Sequence, residues 1–383
     1  MRRGGVRRAR LQPGRAIAFA VLAAGTSAIL AARTQPPTAA PPRHVVLVTL
    51  DGARTEEIFG GLDAVALAST TKDGTIAGTG AYQKYFADTP EARREKVMPF
   101  VWQTLLRDHG SIAGNRARGS AFGVTNRQRF SYPGYAELLT GAPHDADIRS
   151  NDNRRYPFPT VLEFFARRWS TPGAVAVFGS WETFRWIAAH EDGAVTVNAG
   201  YDAFQSPDGR VQALNEAQFE ATTPWPSARH DAFTFRFAMD DLRRHRPRAL
   251  YIAFDETDDW AHDRNYERVL DALHRTDGYL RELHSWIQAD PEYRDTTSII
   301  VTVDHGRGHH ADDWSKHGDD VVGADETWMI AAGPDWPRRG EWTNAPPAYA
   351  SQVAATLAKA AGEDFRQLAP DAAEPIDYLW NSK

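Results

Sequence analysis

Five short runs of apolar and β-branched residues mark the chain: HVVLVTL (44–50), AVAVFGS (174–180), ALYIAFD (249–255), SIIVTVD (298–304) and TWMIAAG (327–333). None alternates strictly between apolar and polar positions, which is the pattern of strands covered on both faces. Between them, apolar residues recur at helical spacing. MPFVWQTLLRDHG brings Phe100, Val101 and Leu105 together and closes on Gly110, a residue suited to a helix C-cap. NYERVLDALHRTDGYLRELHSWI repeats apolar positions at Tyr266, Val269, Leu270, Leu273, Leu280, Leu283 and Ile287. Strands alternating with helices predict an α/β fold: a three-layer α/β/α sandwich with a mostly parallel central sheet. In such sheets the ligand site lies beyond the carboxyl ends of the strands.

The residues that follow each run are therefore the first candidates for chemistry. Asp51 directly follows the first run, and Asp255 ends the third, with Asp258 and His262 just beyond. Asp304 and His305 end the fourth and open TVDHGRGHHADDWSKHG (302–318), where His309, His310 and His317 crowd in with Asp312 and Asp313. Asp258 and His262 are four residues apart, so one helical turn can aim both at a single ion. They also suit a plain polar helix start, with Asp258 or Asp259 as N-cap for the run after Asn265. Asp304-His305-Gly306 reads as a turn or as a pair of ligands for a divalent cation. His309 and His310 read as a solvated loop. Ser131 in RFSYPGYAELLTG stands before a Pro-Gly turn and one helical length. A serine there is an N-cap, or a hydroxyl placed where a helix N-terminus attracts phosphate.

Composition narrows the chemistry. The chain has no cysteine, which excludes disulfides, thiolate zinc sites and iron–sulfur clusters; any metal must be held by His and carboxylates. At 383 residues and 42% hydrophobic content it can bury a large core. Residues 1–32 stand apart: six arginines and no acid lead into AIAFAVLAAGTSAILAA, the layout of a cleaved secretory signal. That run is rich in Ala and only weakly hydrophobic, so no stable membrane anchor is expected after cleavage, and the expected location is periplasmic or secreted. TQPPTAAPP makes 33–43 a Pro-rich spacer, with folding starting at His44. Losing the six arginines would take the formal net charge from −6 to −12, which argues against a nucleic-acid duplex as partner.

Jointly the motifs form a pattern. Asp51 in TLDGARTEEIFGG, Ser131 in FSYPGYAELLTG, Asp258 and His262 in ETDDWAH, Asp304-His305 in DHGRG and His317 in KHG resemble, in chain order and spacing, the alkaline phosphatase superfamily. Within it, they resemble the nucleotide pyrophosphatase/phosphodiesterase-like branch. The resemblance runs from about His44 to ASQVAATLAKAAG, and it implies an alkaline phosphatase-like catalytic domain over 44–383. It implies two divalent metal ions, zinc, as cofactors. One would be held by Asp258, His262 and His317, the other by Asp51, Asp304 and His305, with Ser131 between them. Serine is a weak nucleophile at neutral pH, and a cation at its oxygen stabilises the alkoxide. The implied reaction is attack of Ser131 on a small-molecule phosphate ester, diesters ahead of monoesters, through a phosphoseryl intermediate that is then hydrolysed. Asn153 in SNDNRRY resembles the asparagine with which that branch binds a phosphoryl oxygen, and Asn151 is the alternative.

Some positions depart from that pattern. Gly134 follows Pro133 where relatives often carry Asn, so substrate preference does not transfer. Arg54 and Arg307 lie beside ligand motifs and read as partners of surface carboxylates, not as holders of a monoester's terminal phosphate. Sulfatases share the Ser/Cys-x-Pro frame, but Tyr135 stands where they carry Arg, and their cysteine-derived aldehyde needs a cysteine. Cofactor-independent phosphomutases share the ligand pattern, but their substrates are cytoplasmic. A non-catalytic binding protein on the same fold would not need all six ligands and the serine. Specificity segments are expected near 60–96 and 180–246, where Trp181, Phe184, Trp186, Tyr201 and Phe204 either stack on substrate or pack the core.

Overall fold

The computed structural model describes residues 43–380. The signal expected at 1–32, and all but the last residue of the spacer 33–43, lie outside the described residues. Along the chain come β1 (His44–Leu50), β2 (Gly110–Ala113), β3 (Ser120–Gly123), β4 (Val175–Gly179), β5 (Thr196–Ala199) and β6 (Ala249–Phe254). They are followed by β7 (Thr297–Thr302), β8 (Glu326–Thr327), β9 (Met329–Ala332), β10 (Gly340–Glu341) and β11 (Ala345–Tyr349). The main sheet has the order β10-β2-β9-β7-β1-β6-β4-β5, and β11, β3 and β8 form a small second sheet. Main-sheet neighbours run parallel except β9, which is antiparallel to β2 and β7. The apolar runs of the sequence fall on β1, β4, β6, β7 and the β8–β9 stretch.

Successive strand residues face opposite sides, and here each side has its own core. Val46, Val48 and Leu50 of β1 join Leu250, Ile252 and Phe254 of β6 and Ile299 and Val301 of β7 in one. Val45 and Leu47 join Ala249, Tyr251, Ala253 and Ile300 in the other. Residues of the helices Asp231–His245 and Tyr266–Ala289 close the first core. Residues of Ser131–Thr140, Val161–Trp169 and Val353–Ala360 close the second. The result is an α/β/α sandwich around a mostly parallel sheet. No described helix is long and apolar enough to cross a membrane.

Two local expectations change. Val101–His109 winds as a π-helix, and Gly110 follows it at the C-cap position but is extended at φ −151°, not left-handed, as the first residue of β2. The start of that segment is held from a distance: Phe100 N and Val101 N donate to the Asp277 carboxylate at 2.9 and 2.8 Å. Asp258 and Asp259 lie inside a separate short helix, Glu256–His262, and the long helix after it is capped by Asn265. Of the aromatics in 180–246, Phe184 is 1% exposed and packs on Tyr135 and Tyr251, which makes it core. Phe204 meets Phe178 edge-on and stacks on Phe237.

The register sets the position of the chemistry. β1 pairs with β6 at Leu50↔Phe254 and with β7 at Thr49↔Thr302, so Asp51, Asp255 and Asp304 leave the sheet at one rim. The helix Ser131–Thr140 is fixed by Glu137, which is fully buried. Its carboxylate accepts from Thr125 N, Thr125 Oγ1, Asn126 N and Asn126 Nδ2 at 2.8–3.0 Å and from Ser351 N at 3.1 Å. Removing it strands buried donors from two other segments, so Glu137→Ala should cost about 3 kcal/mol or more of unfolding free energy. Urea denaturation measures this, and a loss under roughly 1 kcal/mol would show that the helix is held by apolar packing alone.

Candidate metal centre

Asp51, Asp304, His305 and His317 each give one polar atom to the protein and leave another facing the neighbouring ligands. Asp51 Oδ2 accepts from Tyr135 Oη at 2.9 Å, and Asp51 Oδ1 has no hydrogen-bond partner. Asp304 Oδ1 accepts from Gly52 N at 3.1 Å, and its Oδ2 has none. His305 Nδ1 donates to Gly306 O at 3.0 Å, which turns Nε2 inward. His317 Nδ1 donates to Arg129 O at 3.3 Å, which likewise frees its Nε2.

These free atoms converge. His305 Nε2 lies 3.3 Å from Asp51 Oδ1, 3.5 Å from Asp304 Oδ2 and 3.6 Å from Asp258 Oδ1, yet it is in hydrogen-bonding geometry with no partner. His262 Nε2 lies 3.0 Å from both Asp258 Oδ2 and His317 Nε2. Among the described residues, ligand atoms of Asp51, Asp304 and His305 lie within 4.8 Å of one another, as do those of Asp258, His305 and His317. The structure thus brings together all six residues expected as ligands, with His305 in reach of both groups. Buried acceptors without donors, facing imidazole nitrogens, make a donor set of the nitrogen–oxygen type that zinc takes. The residues present fit a pair of divalent cations.

Electrostatics point the same way. Burial, with Asp51 beside it, pushes the Asp304 carboxyl well above the usual range. Burial disfavours charge on His305, but Asp304 and Asp51 outweigh it and push its pKa up to about 9. His317 is pushed far down by burial and by His305, Arg307 and His262 around it, so it stays neutral and available as a ligand. Burial, with His305 nearby, also lowers His262.

Ser131 is the first residue of its helix and 6% exposed. Its Oγ has no hydrogen-bond partner among the described residues. Ser131, Gly134 and Tyr135 share one helical face, and that face meets the ligands. Tyr135 holds Asp51, and a Cβ built on Gly134 would sit 2.3 Å from Asp304 O. Glycine after Pro133 is therefore a packing requirement: the helix start rests directly on the Asp304 backbone. Gly52 has a second such requirement, with φ +58° and a built Cβ 2.6 Å from Asp258 Oδ1.

Asn153, expected to bind a phosphoryl oxygen, is held by two neighbours. Its amide donates to Glu182 Oε1 at 3.3 Å and accepts from Thr183 Oγ1 at 2.7 Å, and it has no hydrogen bond to the Ser131 turn. Asn151 does: its Oδ1 accepts from Tyr132 N at 3.0 Å. Arg54 and Arg307 are also corrected. Both are buried, Arg54 on Glu57 and Asp63 and Arg307 on Asp258, so neither pairs with a surface carboxylate. His309 is not a free loop residue, since it pairs with Glu56. Two acids beside the centre are additional to the expected set. Burial and Asp259 hold Asp255 well above the usual carboxyl range, and burial raises Asp259 to about 6. Their place at the strand end was the available signal, but nothing in DETDDWAH separates them from Asp258.

Comparison with known proteins follows the same lines. The family model for type I phosphodiesterase/nucleotide pyrophosphatase matches residues 101–375, a span that holds every candidate site residue except Asp51. No curated protein matches the sequence. Among solved structures, the alkaline phosphatase PafA is similar with TM-score 0.56 at 9% identity, over 89% of this chain and 99% of that one. The lipoteichoic acid synthase LtaP from Listeria monocytogenes gives TM-score 0.55 at 9% identity, over 88% and 75%. The phosphonate monoester hydrolase SpPMH from Silicibacter pomeroyi gives 0.51 at 13%, over 88% and 76%. At these identities the structures speak to the fold, and the family model to the relationship. The chain belongs to the type I phosphodiesterase/nucleotide pyrophosphatase family.

Proposed function

We propose that this protein is an exported, zinc-dependent phosphodiesterase that works through a phosphoseryl intermediate on Ser131. The observation that carries the reading is the set of unpartnered Asp51, Asp304 and His305 atoms beside the turn that presents Ser131 Oγ. When bound, two divalent cations held by Asp258, His262 and His317 and by Asp51, Asp304 and His305 supply positive charge that favours the serine alkoxide and the leaving oxygen. Ser131 Oγ loses its proton and attacks phosphorus, one alcohol of the diester departs, and water then releases the remaining phosphomonoester from the serine. The N-terminus of the Ser131 helix adds partial positive charge toward the anion. Asn153, or Asn151 whose Oδ1 accepts from Tyr132 N, would supply an amide donor to a phosphoryl oxygen.

Diester preference rests on the arginines. Arg307 donates to Gly52 O, Ser315 O and Asp258, and Arg54 to Glu57, Asp63 and Gly308 O. Both guanidiniums are buried and every nitrogen of each already donates to the protein, which leaves neither directed at the extra charge of a monoester's terminal oxygens. Against a sulfatase, the chain has no cysteine, and Tyr135 is committed to Asp51. Export rests on the basic and then apolar opening of residues 1–32.

Ser131→Ala should lower turnover of bis-nitrophenyl phosphate by on the order of 10³-fold or more while leaving zinc content unchanged. Wild-type rates in that variant would end the covalent reading. Wild type should also turn over the bis-nitrophenyl ester faster than the mono-nitrophenyl ester, and the reverse order would refute diester preference.

Metal removal has a pH signature. His305 has its folded pKa raised from 6.5 to about 9, so its contribution is full below about 6.5 and lost as pH rises through about 9. Asp304, also raised, has the same sign. Thermal unfolding of chelator-treated protein should therefore shift to lower temperature between about pH 6.5 and 9, and excess zinc should abolish the shift. A flat profile without metal would show that these groups do not share protons as described.

A further inference from the structure

Arg307 is 1% exposed and donates to three segments at once. Its Nε donates to Gly52 O at 3.2 Å, its Nη1 to Ser315 O at 2.6 Å, and its Nη2 to Asp258 O at 3.3 Å and to Asp258 Oδ1. Each segment carries a candidate ligand: Asp51 precedes Gly52, Asp258 is itself one, and His317 follows Ser315 by two residues. The guanidinium packs where Gly52 lacks a side chain, its Nε 2.8 Å from a built Cβ. The two oxygens of Asp258 are thereby divided. Oδ1 is taken by Arg307, and Oδ2 faces His262 Nε2 at 3.0 Å.

We propose that Arg307 is a positioning residue of the metal centre: its fork ties the three ligand-bearing segments together and pins one oxygen of Asp258, so that the other is offered to the cation beside His262 and His317. The inference rests on the reading of this cluster as a metal site. A planar fork with donors in fixed directions suits the task, and a lysine ammonium on a flexible stem does not reproduce it. Arg307 does not touch substrate in this account, because it is buried and each of its nitrogens donates to the protein. Its charge opposes an incoming cation, and its geometry prepares the ligands for one. The proposal is that geometry dominates.

The test is zinc affinity of the full chain, stripped of metal and titrated against a chromogenic chelator. Arg307→Met should weaken binding at the tighter site about 10–100-fold, the usual effect of losing a group that orients a ligand, and Arg307→Lys should recover only part of it. Unchanged affinity with a lower Tm would mark Arg307 as a purely structural residue. Tighter binding would mark it as a competing charge. Either result overturns the proposal. If the Met variant does not fold, Arg307→Lys with a wild-type circular dichroism spectrum decides: weaker zinc binding supports the proposal and equal binding overturns it. Wild type that takes up no zinc would instead overturn the metal reading itself.

Discussion

Three carboxylates, those of Asp51, Asp258 and Asp304, lie 3.3–3.6 Å from a single imidazole nitrogen of His305, away from bulk water. Two unit charges within the 4.8 Å spanned by Asp51, Asp304 and His305 repel by roughly 3–4 kcal/mol at an effective dielectric near 20. Burial sharpens that repulsion, and positive charge must sit among them to offset it. In the structure it comes from His305 and Arg307. Much of the local architecture serves this balance. Tyr135 and Gly52 N each hold one oxygen of an acid, and Gly52 has no side chain because Asp258 and Arg307 need the space.

Two kinds of element meet at the centre, and they are held by different means. Asp51, Asp304 and His305 come from strand ends, whose positions follow from backbone pairing between β1, β6 and β7, while Asp258 and His262 ride the short helix after β6 and His317 the loop after β7. The hydroxyl comes from a helix on the other face of the chemistry, whose position depends on the buried Glu137 carboxylate and on the contact between Gly134 and Asp304 O. A helix start rests on a strand end with no side chain between them. This close approach is what lets one turn of helix present a serine and, four residues later, a tyrosine that steadies the facing acid.

How far the sequence showed this depended on whether the controlling contacts were local. The long buried strands and the helix Tyr266–Ala289 are legible because their hydropathy is local and strong. So are the six clustered residues, since chain order and spacing survive without knowledge of contacts. Short strands such as β5 and β10 carry no apolar run, and the capping of Val101–His109 comes from Asp277, far away in sequence. Arg307 reads as an ordinary basic residue beside a turn, and only the closing of three segments around it shows that it is buried. Asn151 and Asn153 have equivalent chemistry in SNDNRRY, and only the fold separates them, through Tyr132 N and Thr183.

The place of β1 in the sheet also bears on how the protein is made. Its neighbours are Val45↔Ala249 on one side and His44↔Thr297 on the other, so its partners lie more than 200 residues downstream. At ribosomal rates of about 5–20 residues per second, the apolar stretch HVVLVTL emerges roughly 10–40 s before either flank exists to cover it. Slow-forming, non-local pairings of this kind leave nascent chains open to aggregation. The strand that ends in Asp51 is therefore the segment most in need of shielding during synthesis, and the centre is among the last features of the molecule to come into being.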